Sequence, residues 1–138
     1  MDTLIGIMFV VVVCIGIGLL ILISLTRRGG SSLDQDKYRS NWLQITQKKG
    51  DSPDSWQLAV LNADKLLDSA LRERGVKGDS MGQRLKNSSG YLSKIDAVWR
   101  AHKLRNRIAH EHDMQITKRQ TEDALNIFRD ALRDLGAL

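Results

Sequence analysis

A chain of 138 residues with 21 Lys and Arg against 16 Asp and Glu, net charge +5, divides sharply by composition. Residues 4–25 carry no charge and are almost wholly aliphatic, whereas every lysine and arginine lies beyond residue 26. The one cysteine, Cys14, sits inside the apolar run, which excludes disulfides and cysteine metal sites from the remainder.

The run from Leu4 to Leu25 holds enough helix to cross a hydrocarbon core. Its flanks argue against a cleaved secretory signal: the N-terminus is Met-Asp-Thr, without a basic n-region. The exit, Ser24-Leu25-Thr26-Arg27-Arg28, lacks a small-residue cleavage site. Residues 1–28 are therefore read as a single-pass membrane anchor. Arg27 and Arg28 follow the span and Asp2 precedes it, so the positive-inside rule puts the C-terminal part in the cytoplasm. Residues 29–33, beginning Gly29-Gly30-Ser31-Ser32, read as a flexible linker. Residues 34–138 suffice for one domain, with 21 basic and 15 acidic residues after Thr26 giving that part a net +6. Such a charge suits anionic lipid headgroups or nucleic acid, and charge alone does not separate them.

Within this domain the apolar spacing is helical throughout, and no stretch alternates as a strand does. Asp34 to Lys49 places Tyr38, Trp42 and Ile45 on one face. Ser52 with Pro53 opens a helix to about Arg74, closed by Gly75, with Trp56, Val60, Ala63, Leu67, Ala70 and Leu71 as its apolar face. Asp79-Ser80 caps a short piece from Met81 to Lys86, and Asn87-Ser88-Ser89-Gly90 reads as a loop. Tyr91 to about Glu111 predicts a central helix, with its start between Tyr91 and Ser93. Thr117 to Gln120 has capping-box form ahead of Ala124, Leu125, Phe128, Leu132 and Leu135. The expected fold is all-α: one transmembrane helix followed by a bundle of four to five helices.

On a wheel of about 100° per residue, Asp96, Arg100, Lys103, Arg107 and Glu111 share one arc that must face water. The remaining arc, expected to be buried, carries Ile95, Val98, Trp99, Ala101, Leu104, Ile108 and Ala109, but also His102, Arg105, Asn106 and His110. Burying four polar groups without partners would cost a few kcal/mol each, so the conflict marks a site or an interface. Asn106 and His110 are four apart with Arg105 alongside, so amide, guanidinium and imidazole are expected to converge on one anionic group. His102 continues that row one turn earlier.

These residues resemble a known family. Arg105-Asn106-Arg107-Ile108-Ala109-His110 is similar to the RNxxxH motif of HEPN domains, and the string from Trp99 to Glu111 resembles the motif helix of bacterial members. The resemblance covers roughly Trp42 to Leu135. It implies a helical bundle that pairs as a homodimer through the motif helix, and a metal-independent endoribonuclease needing no cofactor. It implies that His110 acts as general base or acid on the ribose 2′-hydroxyl or leaving oxygen. Arg105 would stabilise charge on the scissile phosphate, and Asn106 would orient the histidine or the phosphate. His102, Lys103 and Arg107 on the same helix are candidates for RNA contact, although His102 and Trp99 taken alone read as core or interface.

A second reading stays open, in which Arg105, Asn106 and His110 form a buried polar network that fixes packing, and the domain recruits a partner to the membrane without catalysis. Asp64 and Asp68, one turn apart, are possible partners for Arg105, but acids at this spacing usually form a solvated face. His112 and Asp113 complete no metal-ligand spacing. The topology is directly testable: a reporter active only in the cytoplasm, fused after Leu138, is expected to be active. Digestion of the domain by external protease on intact cells would reverse the orientation.

Overall fold

The computed structural model describes residues 1–26 and 32–138. Arg27, Arg28 and residues 29–31 of the expected linker lie outside the described residues. The chain forms two compact units, Met1–Gly30 and Ser31–Leu138. The described residues are helical and contain no strand.

The first unit is one helix, α1 (Asp2–Thr26), of 25 residues, or about 37 Å at ~1.5 Å per residue. Within it Thr3–Ile23 has a mean hydropathy of 3.2 and buries none of its surface against protein. A helix apolar on every side has no water-facing stripe, and this one is long and apolar enough to cross a membrane.

The second unit is a bundle of α2 (Gln35–Lys48), α3 (Pro53–Glu73), α4 (Met81–Lys86), α5 (Ile95–His110) and α6 (Lys118–Asp134). The helices start where side chains satisfy their first free amides. Asp34, Ser52, Ser80 and Thr117 each accept a backbone N–H three residues on, and Ser52 and Thr117 complete capping boxes. α3 ends at Gly75, whose φ of +81° lets Val76 N–H reach back to the Leu71 carbonyl at 3.0 Å.

The central helix starts later than the sequence predicts. Tyr91 and Leu92 donate to the Ser88 carbonyl as a turn, and the Ser93 amide and hydroxyl both donate to Asp134 Oδ2 of α6, at 2.8 and 2.7 Å. With that amide and hydroxyl held by a distant carboxylate, helical pairing begins only at Ile95.

α3 lies in the middle, packed on α2, α4, α5 and α6. Val60, Ala63, Leu67, Ala70 and Leu71 meet Ala124, Phe128 and Leu132 of α6, all buried, while Tyr38 brings α2 onto this core. Burial first, and then the neighbouring Glu73, hold the Tyr38 phenol protonated well above its usual range. Trp42 and Trp56, expected in the core, are only half-buried at its edge.

The short α4 is fixed to α3 by charge. Arg84 is buried and grips Asp68 with two donors, Nε to Oδ1 at 2.6 Å and Nη2 to Oδ2 at 3.0 Å, while its Nη1 donates to the Gly78 carbonyl. Arg72 adds Nη2 to Asp68 Oδ2 at 2.6 Å. Gly78 has φ +151°, and a Cβ there would lie 2.7 Å from the Arg84 backbone nitrogen, so the close approach requires glycine. Burial alone would raise the Asp68 carboxyl, but the guanidinium groups of Arg84 and Arg72 outweigh it and hold the group below the usual range.

A carboxylate with a lowered folded-state pKa contributes stability that is present above its unfolded value, near 3.9, and is lost as pH falls through the folded one. The domain is therefore expected to lose stability below about pH 4, with the loss smaller in Asp68→Asn. Arg84→Met, which strands a buried carboxylate on Arg72 alone, is expected to cost about 3–5 kcal/mol in denaturant unfolding. A cost within the ordinary surface range would show that the pair is not fixing α4.

Candidate functional site

The water-facing arc of α5 is as the spacing predicts: Asp96, Arg100, Lys103, Arg107 and Glu111 are all exposed. On the remaining arc Val98, Ala101 and Ile108 are buried, Ile95, Trp99 and Leu104 are half-buried, and Ala109 is exposed. The polar row runs out of the bundle along the helix. His102 is buried at 6 % exposure, Asn106 is half-buried and His110, in the last turn, is exposed.

The polar groups on the inner part of this row close a ring with α3. His102 Nδ1 lies 2.8 Å from Asp64 Oδ1, and Asn106 Nδ2 lies 3.3 Å from His102 Nε2. Arg105 Nη1 donates to Asn106 Oδ1 at 2.9 Å, and Arg105 Nε stands 3.3 Å from Asp64 Oδ2 in an ion pair without hydrogen-bond alignment. The ring fixes its own protons. Because Asn106 Oδ1 accepts from a guanidinium, its amide nitrogen faces His102 and donates, so His102 Nε2 accepts and Nδ1–H donates to Asp64. Trp99 closes one side, edge-on to His102 with ring centroids 6.0 Å apart, and its far edge would lie 3.7 Å from a Cβ at Gly82 of α4.

Two expectations are corrected by this arrangement. Asp64 and Asp68 are not a solvated face: they are 2 % and 7 % exposed, on the flank of α3 turned to α4 and α5. The convergence expected of Arg105, Asn106 and His110 is realised with His102 in the place of His110. His102 is therefore enclosed by Asp64, Asn106 and Trp99 and turned away from any RNA at the surface. The His110 side chain makes no hydrogen bond or ion pair among the described residues. Lys103 and Arg107 remain on the exposed arc, with Arg107 bonded to Glu111 through Nε at 3.0 Å and Nη2 at 3.3 Å.

The arrangement holds one guanidinium, Arg105, with its side chain a third exposed, and leaves the exposed His110 five residues further along the same helix. Among the described residues no group of three His, Cys, Asp or Glu could hold a metal ion. Asp64 is the participant that sequence reasoning set aside. The signal for it was the need of four inward polar groups on α5 for a counter-charge, together with an acid at the border of the α3 apolar stripe.

The chain matches no protein-family model, no curated protein and no solved structure.

The ring predicts non-additive stabilities. Asp64→Ala strands His102 Nδ1–H in the interior and is expected to cost about 3–5 kcal/mol. Arg105→Ala should cost about 1–3 kcal/mol, since its guanidinium is partly hydrated. The double variant should deviate from the sum by at least about 0.5 kcal/mol. Additive losses in a thermodynamic cycle would mean that Asp64 and Arg105 do not act on one another.

Proposed function

We propose that this chain is a single-pass membrane protein whose cytoplasmic helical domain binds RNA through α5 and cleaves it without a metal. The observation that carries this reading is the pairing of unlike environments on one helix. Arg105 is held in place by Asp64 and Asn106 at the edge of the bundle, and His110 is exposed and unbonded on the next turn. A pre-set cation and a free proton carrier are what transesterification of RNA requires. His110 takes the 2′-hydroxyl proton as the 2′-oxygen attacks phosphorus. The bond to the 5′-oxygen breaks, that oxygen takes a proton from solvent water as it leaves, a 2′,3′-cyclic phosphate remains, and protonated His110 returns its proton to solvent. Arg105 balances the charge that builds on the phosphoryl oxygens, and Lys103 and Arg107 hold the strand. The similarity of residues 99–111 to the HEPN motif helix supports the same assignment. It also supports a homodimer, in which a second copy around a two-fold axis supplies the facing half of the site.

A second reading has its own observation. Arg105, Asn106 and His102 satisfy one another through Asp64 within a single copy, as a packing lock does, and a lock of this kind would hold α5 as a surface for a protein partner.

His110 separates the two, because its exposure removes the usual ambiguity of an active-site substitution. His110→Ala is expected to change stability by less than about 0.5 kcal/mol, as at other exposed positions without partners. Under the ribonuclease reading it abolishes cleavage of single-stranded RNA in the presence of chelator, while DNA survives. Arg105→Ala should lose at least about a hundredfold in rate. Wild-type protein that leaves RNA uncut, with His110→Ala indistinguishable from it in every respect, would favour the interaction module.

A further inference from the structure

The opposite flank of α3 carries a feature that the α5 site does not use. Leu58, Asn62, Lys65 and Ser69 are spaced four, three and four apart and face α2 across an open groove of about 360 Å³. Three lysines line it, Lys48, Lys49 and Lys65, together with the amides of Asn41, Gln44 and Asn62. No acidic residue lines it among the described residues, in a domain where acids are otherwise frequent. Lys49 is drawn to Glu122 at 3.5 Å, but Lys48 and Lys65 have no ion-pair partner among the described residues. Beneath this cationic rim the lining is aliphatic: Ile45 and Leu66 lie in it, and Leu58 is 55 % exposed.

We propose that this groove docks the domain on an anionic phospholipid surface, with Lys48 and Lys65 on the phosphates and Leu58 at the level of the glycerol backbone. The chemistry of the lining selects this occupant. A phospholipid joins a negative group directly to an apolar one, as the groove joins lysine to aliphatic side chains. Single-stranded nucleic acid takes aromatic stacking platforms beside its cations, and no aromatic residue lines this groove. Chain length supports the same occupant. Only residues 27–34 separate α1 from α2, so the chain connecting Thr26 to Gln35 can reach no more than roughly 30 Å even when fully extended. At that range weak contacts suffice, because tethering supplies a high effective concentration. Docking through this flank leaves the α5 flank free. The inference rests on α1 spanning the bilayer and is independent of whether α5 cleaves RNA.

The test uses the full chain in nanodiscs of phosphatidylcholine with or without phosphatidylglycerol, with Cys14→Ser removing the native thiol. A spin label on Asn62→Cys in the groove is compared with one on Lys103→Cys of the exposed α5 arc. With the anionic lipid, the groove label should become accessible to membrane-dissolved oxygen and protected from an aqueous nickel relaxant, while the α5 label stays aqueous. Each lysine near an anionic surface is worth about fivefold. Lys48→Gln with Lys65→Gln should therefore lower the ratio of docked to free domain by about 25-fold. A groove label equally aqueous in both discs, with the chain still retained after an alkaline wash, overturns the docking alone. Loss of the chain in that wash overturns the docking and the span together. Docking that survives both substitutions overturns the assignment to these lysines, and weakened RNA binding without any change in lipid contact would give the groove to nucleic acid.

Discussion

Because Asp64 and Asp68 are buried on one flank of α3, whatever packs against that flank must bring positive charge or donors to them. An isolated carboxylate in the interior costs several kcal/mol, and neither acid can be left without partners. Asp68 takes Arg84 from α4 and Arg72 from its own helix, and Asp64 takes His102 and Arg105 from α5. The apolar stripes of α3 and α6 supply the bulk of the burial, but aliphatic contacts tolerate sliding and rotation. The two carboxylates tolerate neither. A rotation of α5 by one residue would replace His102 with Ala101 or Lys103 opposite Asp64 and break a four-membered ring, so register is set by charge and cohesion by the hydrophobic effect.

The same constraint divides labour along the polar row of α5. The ring takes up His102, Asn106 and one edge of the Arg105 guanidinium, which makes these groups rigid. What remains for an external ligand is the outer edge of Arg105, the cations Lys103 and Arg107, and His110. Because Asp64 and Asn106 already hold the Arg105 guanidinium, the energy of ordering it has been met by folding. α3 in this view is a spine with two working sides, one holding the α5 motif and the other lining the lysine groove with α2.

Much of the helical architecture was legible because its signals are local. Caps at Ser52, Ser80 and Thr117, the stop at Gly75 and the period of the apolar residues all act within a turn or two, and each is present as read. The errors lie where a distant group intervenes. Ser93 is held by Asp134 of α6, which no local pattern around Tyr91 reveals. Asp64 and Asp68 have the spacing of a solvated acidic face, and only partners 38 and 16 residues away show otherwise. At the site, the helix and its water-facing arc were legible from period alone, whereas His110 and Ala109, expected on the inward arc, are exposed. Which histidine joins the ring turns on their separation on the wheel: His102 and His110 lie about 80° apart, with His110 beside the exposed Lys103 and His102 buried.

The ring makes one demand that no looser arrangement shares: His102 must carry its proton on Nδ1, facing Asp64, with Nε2 bare and accepting from Asn106. Nitrogen-15 NMR of the imidazole side chains reads this directly, through the distinct shifts of protonated and bare ring nitrogens. The account predicts a single, slowly exchanging Nδ1–H form for His102 that is lost in Asp64→Asn, while exposed His110 and His112 show ordinary averaging. A His102 protonated on Nε2, or averaging as the exposed histidines do, would contradict the ring and with it the fixed pose of Arg105.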